Sequence, residues 1–293
     1  MRIVSLLPSA TEIVYALGLA DSLVGVTFEC DEPPAARREK AVVVGGLDTT
    51  GMAPGEIDAA VRSRVAAGED LYTLHARALS ALAPDVILTQ DLCRVCALPS
   101  GRVEDALAHL GCRADVVTLD PHTLEDVLAT IVTVGERVGA AHRAADLVAS
   151  LRARLSVIAA RVAGGPRPRV AVVEWIDPPF PAGHWVPDLV TAAGGEPVAC
   201  RPGQRSVPGD WDIFAAADPD LVVVAPCGFG LSGAVEQAAT VAARLPGRPV
   251  WAVDGNAVVV RPGPRLVDGV ETLAALLHPS AEAGVPRHAV RVA

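Results

Sequence analysis

The chain has 293 residues, 51% of them hydrophobic and only 3% aromatic, and a formal net charge of -9. That length exceeds one average domain and suits two of ordinary size, each with its own core. The acidic balance and the lack of a basic run speak against nucleic-acid binding, which needs clustered Lys and Arg, and no apolar run reaches bilayer-spanning length. Pro8 and Glu12 interrupt the apolar start, and no small-residue cleavage site follows, so no signal peptide is read and a cytoplasmic protein is expected. A periplasmic or extracellular location would require an export signal ahead of Met1. In a reducing compartment the six cysteines are expected as thiols or metal ligands, not disulfides.

Short Val/Ile/Leu runs alternate with helical patterns, the grammar of βαβ units and parallel sheets, so the fold class is α/β. The first strand is expected over 2–6. Ser9-Ala-Thr-Glu12 reads as a capping box, with Ser9 capping a helix and Glu12 reaching back to its backbone. Gly18 reads as the left-handed cap that ends this helix. Strands follow near 23–26, 41–44, 85–89 and 115–119, and helices near 56–67, 76–83 and 103–110. From Leu124 to Val162 the strand pattern gives way to apolar residues at helical spacing, interrupted at Gly135 and Gly139. The second of these helices, near 141–162, would be about 33 Å long, enough to link two lobes. Gly164-Gly-Pro-Arg-Pro168 marks a boundary. Strands resume near 170–174, 221–225 and 249–253, with helices near 185–193, 235–244 and 265–277. The expected partition is an N-terminal α/β lobe (1–122), linking helices (123–165), a C-terminal α/β lobe (166–280) and a loose tail (281–293).

Ser5-Leu-Leu-Pro-Ser-Ala-Thr-Glu-Ile-Val-Tyr-Ala-Leu-Gly18, the Ala83-Pro-Asp-Val-Ile87 strand start and the long middle helix resemble the class III solute-binding proteins over about 1–278. Those proteins serve ABC importers of cobalamin, haem and iron-siderophores. The resemblance implies two Rossmann-like lobes with parallel sheets, bridged by a rigid α-helix and holding ligand in the cleft between them. Leu88-Thr-Gln-Asp-Leu-Cys-Arg-Val-Cys-Ala97, Asp177-Pro-Pro-Phe-Pro-Ala-Gly-His-Trp-Val-Pro187 and Arg261-Pro-Gly-Pro-Arg265 resemble a narrower, cobalamin-binding-like branch. An ABC permease is the partner this implies, and the missing export signal weighs against it.

In open α/β sheets, ligands bind outside the carboxyl ends of the strands, and several chemistry-bearing residues follow predicted strands. Cys93-Arg-Val-Cys96 is the sharpest signal, since two thiolates at that spacing hold one metal or form a redox pair. Cys30 and Cys227, each past its own strand, would complete a four-thiolate set for Zn²⁺ or an iron–sulfur cluster. As small buried residues they would instead be structural. His184 lies in a Pro/Gly-rich loop, placed to ligate a metal, the cobalt of a corrinoid included, or to position the loop. Trp175, Phe180 and Trp185 would stack on a flat ligand, unless Trp185 turns inward as its helix begins. Arg261 and Arg265, set by Pro and Gly, would grip carboxylate, phosphate or amide groups, or simply face solvent. No nucleotide-loop or nucleophile-elbow spacing occurs. Two functions follow. One is a binding protein for a corrinoid or other metal chelate. The other is a cytoplasmic enzyme or redox protein on the same fold, with cysteine-held iron–sulfur or zinc.

Overall fold

A computed structural model describes residues 1–91, 100–109, 113–279 and 286–293. It divides into two compact units, Met1–Pro121 with Leu128–Ala149, and His122–Val127 with Ser150–Ala293.

The first unit runs β1 (Ile3–Ser5), α1 (Pro8–Ala16), β2 (Leu23–Thr27), α2 (Ala35–Glu39), β3 (Ala41–Gly46), α3 (Pro54–Ala66), β4 (Tyr72–Leu74), α4 (Ala76–Ala81), β5 (Val86–Thr89), α5 (Ser100–His109) and β6 (Asp115–Thr118). Its sheet has the order β4-β3-β2-β1-β5-β6. Every pairing in it is parallel except β3 with β4. Val4, Val43, Leu79, Ile87, Val103 and Leu107 pack its core against α4 and α5. Parallel strands covered on both faces are apolar throughout, which is why they stand out in the sequence.

The expected capping box at Ser9 does not form. Leu7 is the N-cap residue of α1, Pro8 takes the first helical position, and Ser9 is already inside the helix. Proline fits there because its fixed φ suits a helix and its missing N–H would have been unpaired anyway. The other end is as expected. Gly18 has φ +66, with Gly18 N–H donating to the Tyr15 carbonyl and Leu19 N–H to that of Val14, the paired bonds of a Schellman cap.

α6 (Leu124–Arg137) and α7 (Ala141–Val162) follow. The second unit continues with β7 (Arg169–Ile176), β8 (Pro179–Pro181), β9 (Gly183–His184), α8 (Val186–Ala192), β10 (Glu196–Val198), β11 (Arg201–Pro202), α9 (Trp211–Ala216), β12 (Leu221–Val224), α10 (Leu231–Arg244), β13 (Val250–Val253), α11 (Gly255–Val258), α12 (Leu266–Leu277) and β14 (Ala289–Arg291). Its sheet has the order β10-β7-β12-β13-β14, with β8 folded back on β7. Val173, Phe214, Val222, Val224, Val241 and Val250 are among its fully buried core residues. The sequence shows no strand pattern after Ser280, yet Ala289–Arg291 pairs antiparallel with β13.

Candidate functional site

The order of the second sheet locates a site before any side chain is considered. From β7 the chain leaves to one side, toward β10, and later returns to β12 and β13 on the other. Ligands in open α/β sheets bind at such a reversal, beyond the carboxyl ends of the strands. At this edge the β7–β8 hairpin sets Trp175 opposite Phe180. The Trp175 indole donates to the Asp177 carbonyl at 3.0 Å, and its ring packs on Phe229 with centroids 5.7 Å apart. Phe229 comes from the connection after β12, two residues beyond Cys227. All three rings are half-buried, so part of each faces solvent.

Glu174 organises the backbone around them. Its carboxylate accepts the Gly183 N–H at 3.0 Å and the Ser206 hydroxyl, and its carbonyl accepts the Cys227 N–H at 3.1 Å. Gly183 is required there: a Cβ would lie 2.5 Å from the Gln204 carbonyl oxygen and 2.6 Å from Ser206 N.

His184 follows with φ +47, a left-handed conformation unusual for a residue other than glycine. Its N–H donates to the Gln204 carbonyl at 2.7 Å, and its carbonyl accepts the Gly203 N–H at 3.0 Å. The imidazole lies between His122, 6.1 Å away by ring centroid, and Trp185, 5.5 Å away. Nε2 of His184 is buried without a hydrogen-bond partner. Burial, then the charges of His122 and Arg205, push its pKa down to about 4. The ring is therefore neutral at pH 7, able to act as a Lewis base.

Trp185 turns inward: it is 6% exposed and its indole donates to the Val259 carbonyl at 2.9 Å. That bond ties the His184 loop to the stretch leading to Arg261. A second tie runs from Gly228 N–H to Asn256 Oδ1 at 3.1 Å. Arg261 and Arg265 are half-buried, and Arg265 reaches the Asn256 carbonyl. Cys227 is exposed on the connection after β12.

Cys30 belongs to the first unit and is fully buried. Its sulfur accepts the Thr11 hydroxyl at 3.1 Å and lies 3.6 Å from that of Thr27. Ser5, Thr27 and Thr89, the last residues of β1, β2 and β5, are buried as well, as are Thr11 and Glu12 of α1. Cys93 and Cys96 lie outside the described residues. The residues flanking that segment are joined, because Asp91 accepts both the Ser100 N–H (2.8 Å) and its hydroxyl (2.6 Å). Among the described residues no three His, Cys, Asp or Glu side chains gather as a metal-holding group. The second unit thus brings Trp175, Phe180, His184, Arg261, Arg265 and Cys227 to one edge of its sheet.

A family model described as periplasmic binding protein matches residues 3–260. Among solved structures, a periplasmic haem-binding protein from Pseudomonas aeruginosa is 24% identical, with a TM-score of 0.70 over 99% of this chain and 97% of that one. The periplasmic vitamin B12 binding protein BtuF of Vibrio cholerae is 21% identical, with a TM-score of 0.65 over 96% and 98%. The periplasmic haem-binding protein HutB of Vibrio cholerae is 19% identical, with a TM-score of 0.70 over 95% and 99%. The mixed α/β fold with parallel-rich sheets is that of the class III periplasmic binding proteins. The uncharacterized ABC transporter substrate-binding lipoprotein YvrC of Bacillus subtilis is 29% identical over 158 residues, 54% of this chain; the match spans 40% of that relative's length. These findings overturn the cytoplasmic expectation, because the family is periplasmic by description and the curated relative is a lipoprotein. The family match across residues 3–260 makes this chain a member of the periplasmic binding protein family.

Proposed function

We propose that the chain is the solute-binding component of an ABC importer and that its solute is a metal chelate, with a corrinoid first among the candidates. One observation carries the reading: the switch-point edge of the second sheet joins partly exposed aromatic rings, a neutral imidazole with a bare Nε2, and a pair of arginines. A planar metal macrocycle asks for this combination. Trp175 and Phe180 offer stacking faces. Arg261 and Arg265 offer guanidinium forks to carboxylate or amide oxygens at the rim. His184 can take an axial position on the metal. Support also comes from the folds it matches, among them proteins described as binding haem and vitamin B12. An ABC permease is the partner this reading requires, and the curated relative's description agrees with it.

Thermal melting with cyanocobalamin, hydroxocobalamin, haemin and ferric chelates tests the reading. A ligand at a hundred times its Kd adds about 2.7 kcal/mol to native stability. A rise in melting temperature with one of these chelates is the expected outcome. No rise with any of them refutes the reading, and stoichiometric iron and sulfide in protein purified without oxygen would assign the cysteines a cluster instead.

A further inference from the structure

The same edge holds a second imidazole that recognition of an organic ligand does not use. His122, just before α6, and His184 belong to one compact unit, with ring centroids 6.1 Å apart. One dipeptide pins both. The Gly203 carbonyl lies 3.2 Å from His122 Nδ1, while Gly203 N–H and the Gln204 carbonyl hold the His184 backbone. A carbonyl can only accept, so Nδ1 of His122 carries a proton, and in the neutral ring Nε2 is the nitrogen with the lone pair. Metal-ligating histidines are arranged this way, with one nitrogen on a backbone carbonyl and the other on the ion.

His184 contributes a buried Nε2 with no hydrogen-bond partner, an expensive state for a polar atom unless something occupies it. It does so from a left-handed backbone at φ +47, the kind of local strain that persists at functional positions. Metal–nitrogen bonds of about 2 Å put the centroids of two imidazoles on one ion roughly 5–6 Å apart. The observed 6.1 Å lies just beyond that range, and a small tilt of the exposed His122 ring about its Gly203 contact can close the remainder.

We infer that His122 and His184 form a two-imidazole site for a divalent transition-metal ion of the Ni²⁺, Co²⁺, Cu²⁺ or Zn²⁺ class, with water in the remaining positions. The ion binds as such and, since both would use His184 Nε2, it excludes axial ligation of the chelate proposed above by that nitrogen. Arg205 beside His184 opposes a cation, and among the described residues no third His, Cys, Asp or Glu completes the pair. The site is therefore an exchangeable one, not a closed structural cage.

Calorimetric titration of Ni²⁺ tests this, in full-length protein with Cys93, Cys96 and Cys227 replaced by Ser to remove competing thiolates. One ion per chain is expected. His122→Gln and His184→Asn should each weaken it at least about tenfold, the loss seen when even an orienting partner of a metal ligand is removed. Asn tolerates the left-handed backbone, and circular dichroism with a thermal melt checks that each variant is folded. Unchanged Ni²⁺ affinity in either folded variant, or no binding by the parent, overturns the inference. Cobalamin and haemin titrations on His122→Gln separate this site from the chelate reading. Retained chelate binding with lost nickel supports the ion site, and retained nickel refutes it whatever the chelate does.

Discussion

Replacing Gly183 with Ala probes the coupling between the backbone of this edge and its chemistry. The new Cβ would meet the Gln204 carbonyl oxygen at 2.5 Å and both Ser206 N and Oγ at 2.6 Å. Ordinary contact begins at 3.4 Å, so residues 204–206 must retreat by roughly 0.8 Å, and two of the three atoms are backbone. Retreat pulls on the Gly183 and Ser206 bonds to Glu174 and on the 2.7 Å bond from His184 N–H to Gln204. Overpacking of this kind costs about 1–3 kcal/mol. At about 2 kcal/mol the second unit should melt roughly 4–8 °C lower. The molecule provides its own probe: all four tryptophans, Trp175, Trp185, Trp211 and Trp251, lie in the second unit, so tryptophan fluorescence on heating reads that unit. Chelate affinity should fall with stability, because His184 is held by the segment that moves. A melting curve superimposable on the parent's, with affinity intact, would refute the packing argument.

Three further outcomes are expected. The His184 pKa is about 4 in the folded chain against an ordinary 6.5. The unfolded chain therefore takes up this proton first as pH falls, and stability drops from about pH 6.5 toward pH 4. His184→Asn should be less acid-sensitive, as read from urea midpoints at pH 7 and pH 4.5; equal acid sensitivity in both proteins contradicts the burial argument. Arg261→Ala and Arg265→Ala should each weaken chelate binding roughly 10–100-fold, the worth of a charge-assisted hydrogen bond. Fluorescence titration measures this, and unchanged affinity in both removes the arginines from the proposed site. Gly269→Ala would put a Cβ 2.0 Å from the Val258 carbonyl oxygen, forcing α11 and α12 apart. It should cost about 3 kcal/mol or more, and a variant that melts normally in calorimetry would show that the two helices separate freely.

The strands were legible where both faces are covered. Val170–Val173 and Leu221–Val224 are unbroken apolar runs because neither face meets water. Short polar strands carry no such signal. β9 and β11 are two residues each, contain Gly, Arg and Pro, and owe their pairing to Glu174 and the Gly183 approach. Ser9 illustrates a local rule outranked by its neighbour, since Pro8 claims the first helical position one residue earlier. In the candidate site, Trp175, Phe180 and His184 announce themselves by following a strand in a Pro/Gly-rich loop. His122 does not, because it is brought there by a connection far away in sequence. Trp185 looked equally suited to stack on a ligand or to pack inward, and only its indole bond to Val259 distinguishes the roles. The Cys93/Cys96 spacing, the loudest motif in the chain, lies outside the described residues.

β14 has an effect out of proportion to its three residues. Without it, β13 would present a row of unpaired peptide groups, an invitation for another polypeptide to add on in register. Instead Ala289–Arg291 runs the opposite way along β13, and the Val250 and Val292 amides complete the lacing. The outermost strand is then short and carries the exposed guanidinium-bearing Arg291, so the sheet ends in a selvedge that resists fibril-like growth during refolding.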